Sequence, residues 1–150
     1  MNNIYIGIKR IKAKPMTRGE YNDFRGWKLP KDENPSDEGY MVKYSDDYVS
    51  WSPKKAFEEA YSKMGEKPLI DTAILMKSDD YKERFIAEYK QLVIRYKGLK
   101  KMLDRWDKDD LAFIPTCPRS TYNMQIKAMT DYIAALEARA IIEGITLLEA

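Results

Sequence analysis

The sequence predicts an α+β fold. A small β-rich unit with short helices (residues 1–77) is followed by a long antiparallel two-helix hairpin (residues 78–150) that oligomerises. Three observations predict it. Isoleucines alternate with other residues near the N-terminus, two aromatic stretches flank a turn, and apolar residues recur with heptad spacing through the second half. The 150 residues are 44% hydrophobic and 33% charged, a composition that allows a packed core.

The first elements of the β-rich unit follow from local patterns. Residues 4–11 alternate isoleucine with polar or small residues, which predicts a half-buried strand. Thr17 and Glu20 have the spacing of a capping box, so a short helix begins there, and Gly26 ends it. Residues 29–39 are rich in Pro, Asn, Asp and Ser and predict a loop.

A β-hairpin and a second short helix come next. Residues 40–44 and 48–51 are rich in aromatic and β-branched residues and flank Ser-Asp-Asp at 45–47, which predicts the hairpin. Ser52 and Pro53 predict the N-cap and first residue of a helix that Gly65 ends. Residues 68–76 fit either a strand or a linker.

The second half shows two apolar seams. Ser-Asp-Asp at 78–80 favours a helix start, because the free N–H groups there attract negative charge. Residues then recur at spacings of four and three in two sets: Phe85, Tyr89, Leu92, Tyr96, Leu99, Leu103 and Trp106; and Tyr122, Ile126, Met129, Ile133, Leu136 and Ala140. Prolines 115 and 118 suit a chain reversal between them, so we expect two antiparallel helices with facing seams.

Apolar residues beside the seams predict a further partner. They are Ile86, Val93, Met102, Ile141, Ile142, Ile145 and Leu148. In a two-helix hairpin, each helix buries only the line of residues that faces the other helix. These further apolar residues must therefore cover the first unit or meet another subunit. We therefore expect a homo-oligomer.

Charge and compartment limit the class of protein. The net charge is +2, too small for a protein whose affinity comes from neutralising DNA phosphates. Residues 1–31 hold eight basic and two acidic residues, which indicates either solvated loops or a basic edge for an anionic ligand. Cys117 is the only cysteine, and no signal-peptide core or membrane-length apolar run is present, so we expect a soluble cytoplasmic protein.

The sequence lacks the usual catalytic residues. It contains no histidine, no glycine-rich phosphate loop and no pair of cysteines. A histidine-based triad and an imidazole metal site are therefore excluded. We predict a protein that is not an enzyme, with no metal and no cofactor.

Arginines interleaved with large rings indicate a ligand site. Trp and Tyr rings can stack on nucleobases, and arginine grips phosphate through paired hydrogen bonds. The candidate ligand-binding residues are Arg18, Tyr21, Arg25, Trp27, Tyr40, Trp51 and, in the connection between the seams, Arg119. The alternative is that about half of these rings form the core of the β-rich unit.

Two segments resemble phage protein families. Residues 17–62 carry the patterns Y-x-x-F-R-G-W, D-E-G-Y and S-W-S-P-x-x-x-F-x-x-A-Y, which resemble a small-protein family of phages and prophages. Residues 80–143, with the Thr-Cys-Pro corner at 116–118, resemble a phage family of helical hairpins. The plan is similar to phage sponges that sequester nucleotide signals of the Thoeris and CBASS defences, such as Sequestin and Lockin, which bind ADP-ribose-derived signals.

Two functions are therefore expected. The first is sequestration, without cleavage, of a nucleotide-derived defence signal, either an ADP-ribose-type molecule made by a TIR enzyme or a cyclic oligonucleotide. The alternative is a phage protein that binds a host protein or assists replication, with the heptad helices as its partner surface.

Overall fold

The computed structural model describes residues 3–147 and divides into two compact units, Met1–Lys67 and Pro68–Ala150. The first contains a three-stranded antiparallel sheet and the second consists of helices, which confirms the α+β class. This division lies ten residues before the boundary expected from the sequence.

The described part of the first unit consists of three strands and two short helices. They are β1 (Lys12–Pro15), α1 (Arg18–Arg25), β2 (Gly39–Lys43), β3 (Val49–Pro53) and α2 (Lys54–Ala60). The strand order is β1-β2-β3, with Lys12 opposite Lys43 and Met41 opposite Trp51. Val42 and Tyr21 are the buried apolar residues of this unit.

Two predictions for the first unit are confirmed, and in both the interacting residues are close in the sequence. Thr17 Oγ1 accepts from Glu20 N, the Glu20 carboxylate accepts from Thr17 N, and Gly26 ends the helix at a φ of 66°. The predicted β-hairpin is also confirmed, with Asp47 in the turn at a φ of 64°.

One prediction for this unit is wrong, and the bounds of another are shifted. Residues 4–11 are not a strand: β2 ends opposite Lys12, where the chain turns, so residues before Lys12 have no strand to pair with. The helix predicted to start at Ser52 and Pro53 does form, but one residue later: Ser52 pairs with Tyr40 in the sheet, and Pro53, opposite Gly39, is the N-cap. The helix begins at Lys54 and ends before Tyr61, not at Gly65.

The second unit has two short and two long helices, α3 (Pro68–Asp71), α4 (Ala73–Met76), α5 (Tyr81–Trp106) and α6 (Arg119–Glu143). Residues 68–76 are thus helical turns, neither strand nor linker. Asp80 caps α5 by accepting from Lys82 N, and Gly144 ends α6 at a φ of 63°.

Contacts join the long helices near both ends. Phe85 near the start of α5 packs with Leu136, Ala140 and Ile145 at the end of α6 and beyond. At the other end, Trp106 meets Tyr122 edge to face at 5.8 Å. An antiparallel pair would make these contacts, and every residue of the two predicted seams is buried or half-buried.

The apolar residues outside the seams are divided between the interior and the surface. Val93 and Ile145 are buried, and Ile86 and Met102 are half-buried. Ile141 and Ile142 are both 83% exposed. Leu148 lies outside the described residues.

Candidate functional site

Arg18 and Trp51 form one part of the predicted ring-and-arginine site. The Arg18 guanidinium donates to both carboxylate oxygens of Glu33, at 2.5 and 2.7 Å, and lies 5.1 Å from the Trp51 ring centroid. The hydrogen bond from Arg18 holds the pKa of Glu33 below its usual value and raises that of Arg18. Trp51 Nε1 donates to the Met16 carbonyl at 2.8 Å. Arg18 therefore joins the loop to α1 beside Trp51 of the sheet, and an anionic ligand would have to displace Glu33.

Tyr21, Arg25 and Trp27 come together at the end of α1. Tyr21 is buried and its hydroxyl donates to the Val49 carbonyl at 3.2 Å. Arg25 lies 4.4 Å from the Trp27 ring centroid, and Trp27 meets Tyr21 edge to face. Arg25 is exposed and Trp27 is 50% exposed, so this pair can be reached from solvent.

Tyr40 belongs to a separate aromatic stack. Its ring lies parallel to Phe57 at 4.1 Å, and its hydroxyl donates to Glu58 at 2.8 Å. That hydrogen bond raises the pKa of Tyr40 above its usual value. The stack packs α2 against β2, so Tyr40 has a structural role.

Arg119 lies in the other unit, at the start of α6. Its guanidinium donates to both carboxylate oxygens of Asp107, the nearer at 3.1 Å, and to the Asn123 side chain. It also lies 5.8 Å from the Trp106 ring centroid. Arg119 thus bridges the two ends of the connection between α5 and α6.

A cavity in the helical unit was missed by the sequence analysis. It is largely open to solvent, has a volume of about 380 Å³ and lies between α4 and α5. Six residues line it: Met76, Arg84, Glu88, Gln91, Leu92 and Arg95.

The polar groups of this cavity differ in their partners. Arg84 donates to the Ser78 carbonyl at 2.6 Å, and Gln91 donates to Thr72 Oγ1 at 2.7 Å. Glu88 accepts from the Tyr132 hydroxyl of α6. Across residues 3–147, no hydrogen bond or ion pair reaches Arg95. The cavity therefore has two arginines that form no ion pair in the described chain, with the Glu88 carboxylate on the same helix face between them.

A signal for this cavity was present in the sequence. Arg84, Glu88, Gln91 and Arg95 recur at spacings of four, three and four, directly before the seam residues. Such spacing places all four side chains on one helix face. The opposite wall, Met76, could not be found, because residues 68–76 gave no clear pattern.

Within the described residues, no cluster of three or more Cys, Asp and Glu side chains could hold a metal ion. No helix there combines the length and apolar character needed to cross a membrane.

A family model named Sequestin matches residues 79–142. The match includes all of α5 and all but the last residue of α6, and it supports a sequestin-like relationship for this segment. The resemblance of residues 17–62 to a phage small-protein family stays a prediction. No curated protein and no solved structure matches the chain.

Proposed function

We propose that the protein binds a nucleotide-derived bacterial defence signal and sequesters it without cleaving it. The signal is an ADP-ribose-type molecule from a TIR enzyme or a cyclic oligonucleotide, and the protein acts for a phage in the cytoplasm of the infected host. The observation that carries this proposal is the match of residues 79–142 to Sequestin. Sequestration without cleavage also agrees with a sequence that contains no histidine.

A heat-release experiment separates sequestration from cleavage. The protein is incubated with ADP-ribose-type signals or cyclic dinucleotides, free ligand is measured after filtration, and the sample is then heated. A sponge lowers the free concentration and returns the intact molecule after heating. Recovery of fragments would show an enzyme, and an unchanged free concentration for every candidate would refute binding.

Arg25 and Trp27 are the best supported of the ligand residues predicted in the first unit. Their side chains are exposed and stacked on each other, and Arg25 donates to the Val49 carbonyl at 3.5 Å but forms no ion pair in the described chain. A nucleobase could stack on the open side of Trp27 while Arg25 donates to a phosphate.

Arg25→Ala tests this site. We expect nucleotide binding to weaken about ten- to a hundredfold, because charge-assisted hydrogen bonds are lost. Lys28→Ala removes the same charge from a nearby exposed position and should bind normally. If Arg25→Ala, Arg18→Ala and Arg119→Ala all bind as tightly as the wild type, these arginines form no ligand site.

Exposed isoleucines support a homo-oligomer as part of the proposal. Ile141 and Ile142 are adjacent near the end of α6, and each is 83% exposed. Large apolar side chains grouped on one helix are typical of a protein contact. Light scattering of the wild type and of Ile142→Lys tests this: the wild type should be oligomeric and the variant smaller.

The same residues favour a second candidate function, binding of a host or replication protein. In that case the helices are the partner surface and the rings of the first unit are only structural. The fluorescence of Trp27 distinguishes the two, with Trp27→Phe used to identify its signal. A nucleotide should change it if the signal binds at Arg25 and Trp27, and leave it unchanged if these side chains are only structural.

A further inference from the structure

The structure assigns phosphate binding to the cavity between α4 and α5, as an alternative to the site at Arg25 and Trp27, with Arg84 and Arg95 holding the anionic oxygens. This inference rests on the proposed function and gives it a location. The ligand class is a nucleotide that carries both phosphates and free hydroxyl or amino groups.

The first argument is the availability of positive charge. Arg18 and Arg119 each donate to both oxygens of a carboxylate, so the charge of each is already paired. Arg95 has no partner in the described chain, and Arg84 is held only by a neutral carbonyl. Because guanidinium groups bind phosphate through two parallel hydrogen bonds, two arginines without an ion pair beside a cavity suit a phosphate-bearing ligand.

The second argument is the size of the recognition face. Arg84 and Arg95 are three helical turns apart, about 16 Å along the axis at 1.5 Å per residue. Both line the same cavity of about 380 Å³. A single inorganic ion would leave most of this length empty, whereas an extended nucleotide can follow the face of α5.

The third argument is the chemistry between the two arginines. Glu88 is oriented by the Tyr132 hydroxyl, and its remaining lone pairs can accept hydrogen bonds. A carboxylate repels a neighbouring phosphate but accepts from ribose hydroxyls or an exocyclic amine. Met76 and Leu92 add apolar walls against which a ring can pack. We infer that phosphates bind at the arginines and uncharged polar groups at Glu88.

The fourth argument is the position of the cavity in the chain. Five of its six lining residues lie within residues 79–142, the segment that matches Sequestin. Six of the seven ligand residues predicted from the sequence lie outside that segment.

The experiment compares two probes, ADP-ribose and inorganic pyrophosphate, by isothermal titration calorimetry. Arg95→Ala should weaken both about ten- to a hundredfold. Lys101→Ala, which removes one charge from an exposed position on the same helix, should change neither by more than about twofold. Glu88→Gln should tighten pyrophosphate binding by removing repulsion and weaken ADP-ribose binding by removing an acceptor. Circular dichroism checks that each variant is folded.

The outcomes separate the two proposals. If the wild type binds ADP-ribose and neither Arg95→Ala nor Arg84→Ala weakens it, the cavity assignment is overturned while sequestration stands. If pyrophosphate binds in an Arg95-dependent way but no nucleotide binds, the assignment stands and the proposed function fails. Binding of neither probe overturns the assignment.

Discussion

Replacing Gly39 with alanine tests how the sheet of the first unit is packed. A Cβ atom at Gly39 would lie 2.4 Å from the Ser52 carbonyl oxygen and 2.4 Å from Cζ2 of the Trp51 ring. Normal Cβ atoms do not approach other heavy atoms this closely. Because Ser52 is paired in β3 and Trp51 is fixed by its hydrogen bond to Met16, neither neighbour can move freely.

The expected cost follows from this overlap. Overpacking a fitted interior destabilises a protein by about 1–3 kcal/mol. In a unit of this size, each kcal/mol lowers the melting temperature by about 4–8 °C. Gly39→Ala should therefore lower the Tm of the first unit by about 4 °C or more, with a change in the near-ultraviolet signal of Trp51.

Gly98→Ala is the matched control, because it makes the same chemical change with the opposite result. Gly98 lies inside α5, and a Cβ atom there would have no neighbour within 4 Å. Alanine is about 0.8–1 kcal/mol more favourable than glycine within a helix. Thermal unfolding by circular dichroism should show Gly98→Ala more stable than the wild type. An unchanged Tm for Gly39→Ala would refute the close packing of Trp51 on this glycine.

Two further predictions concern the core and acid stability. Leu136→Ala should cost about 2–5 kcal/mol in urea unfolding, because Leu136 is 2% exposed, whereas Met124→Ala should stay within about 0.5 kcal/mol. Equal effects of the two would contradict the packing of α5 on α6. The hydrogen bond from Arg18 lowers the pKa of Glu33 from its ordinary 4.5, so its stabilising contribution is complete above pH 4.5 and is lost as the pH falls through the lower folded value. Glu33→Gln should flatten this acid dependence, and an unchanged pH profile would show that the ion pair does not stabilise the fold.

Elements whose signals lie close together could be predicted from the sequence. The capping box of Thr17 and Glu20 spans one helical turn, and the seams repeat within each helix. Residues 4–11 have the alternation of a strand, but a strand also needs a neighbour, and β2 ends before reaching them. The alternation of residues predicts a strand, but the strand forms only where a second strand lies beside it in register.

The candidate site was harder to predict for the same reason. The sequence shows arginines beside rings, but not that Arg18 is paired with Glu33, fifteen positions along the chain. Nor does it show that the residues around Met76 form a helical turn opposite the polar face of α5. Which arginines lack a carboxylate partner can be seen only in the folded structure, because the partners are distant in the sequence.

Sequestration itself is tested most directly by identifying the small molecule that co-purifies with the protein. The protein is purified from bacteria in which a TIR enzyme is producing its signal, then heated, and the released small molecules are identified by mass spectrometry. We predict an intact ADP-ribose-type or cyclic nucleotide in near-stoichiometric amount from the wild type. Preparations from the same cells that release no nucleotide, or only its fragments, would contradict the proposed function.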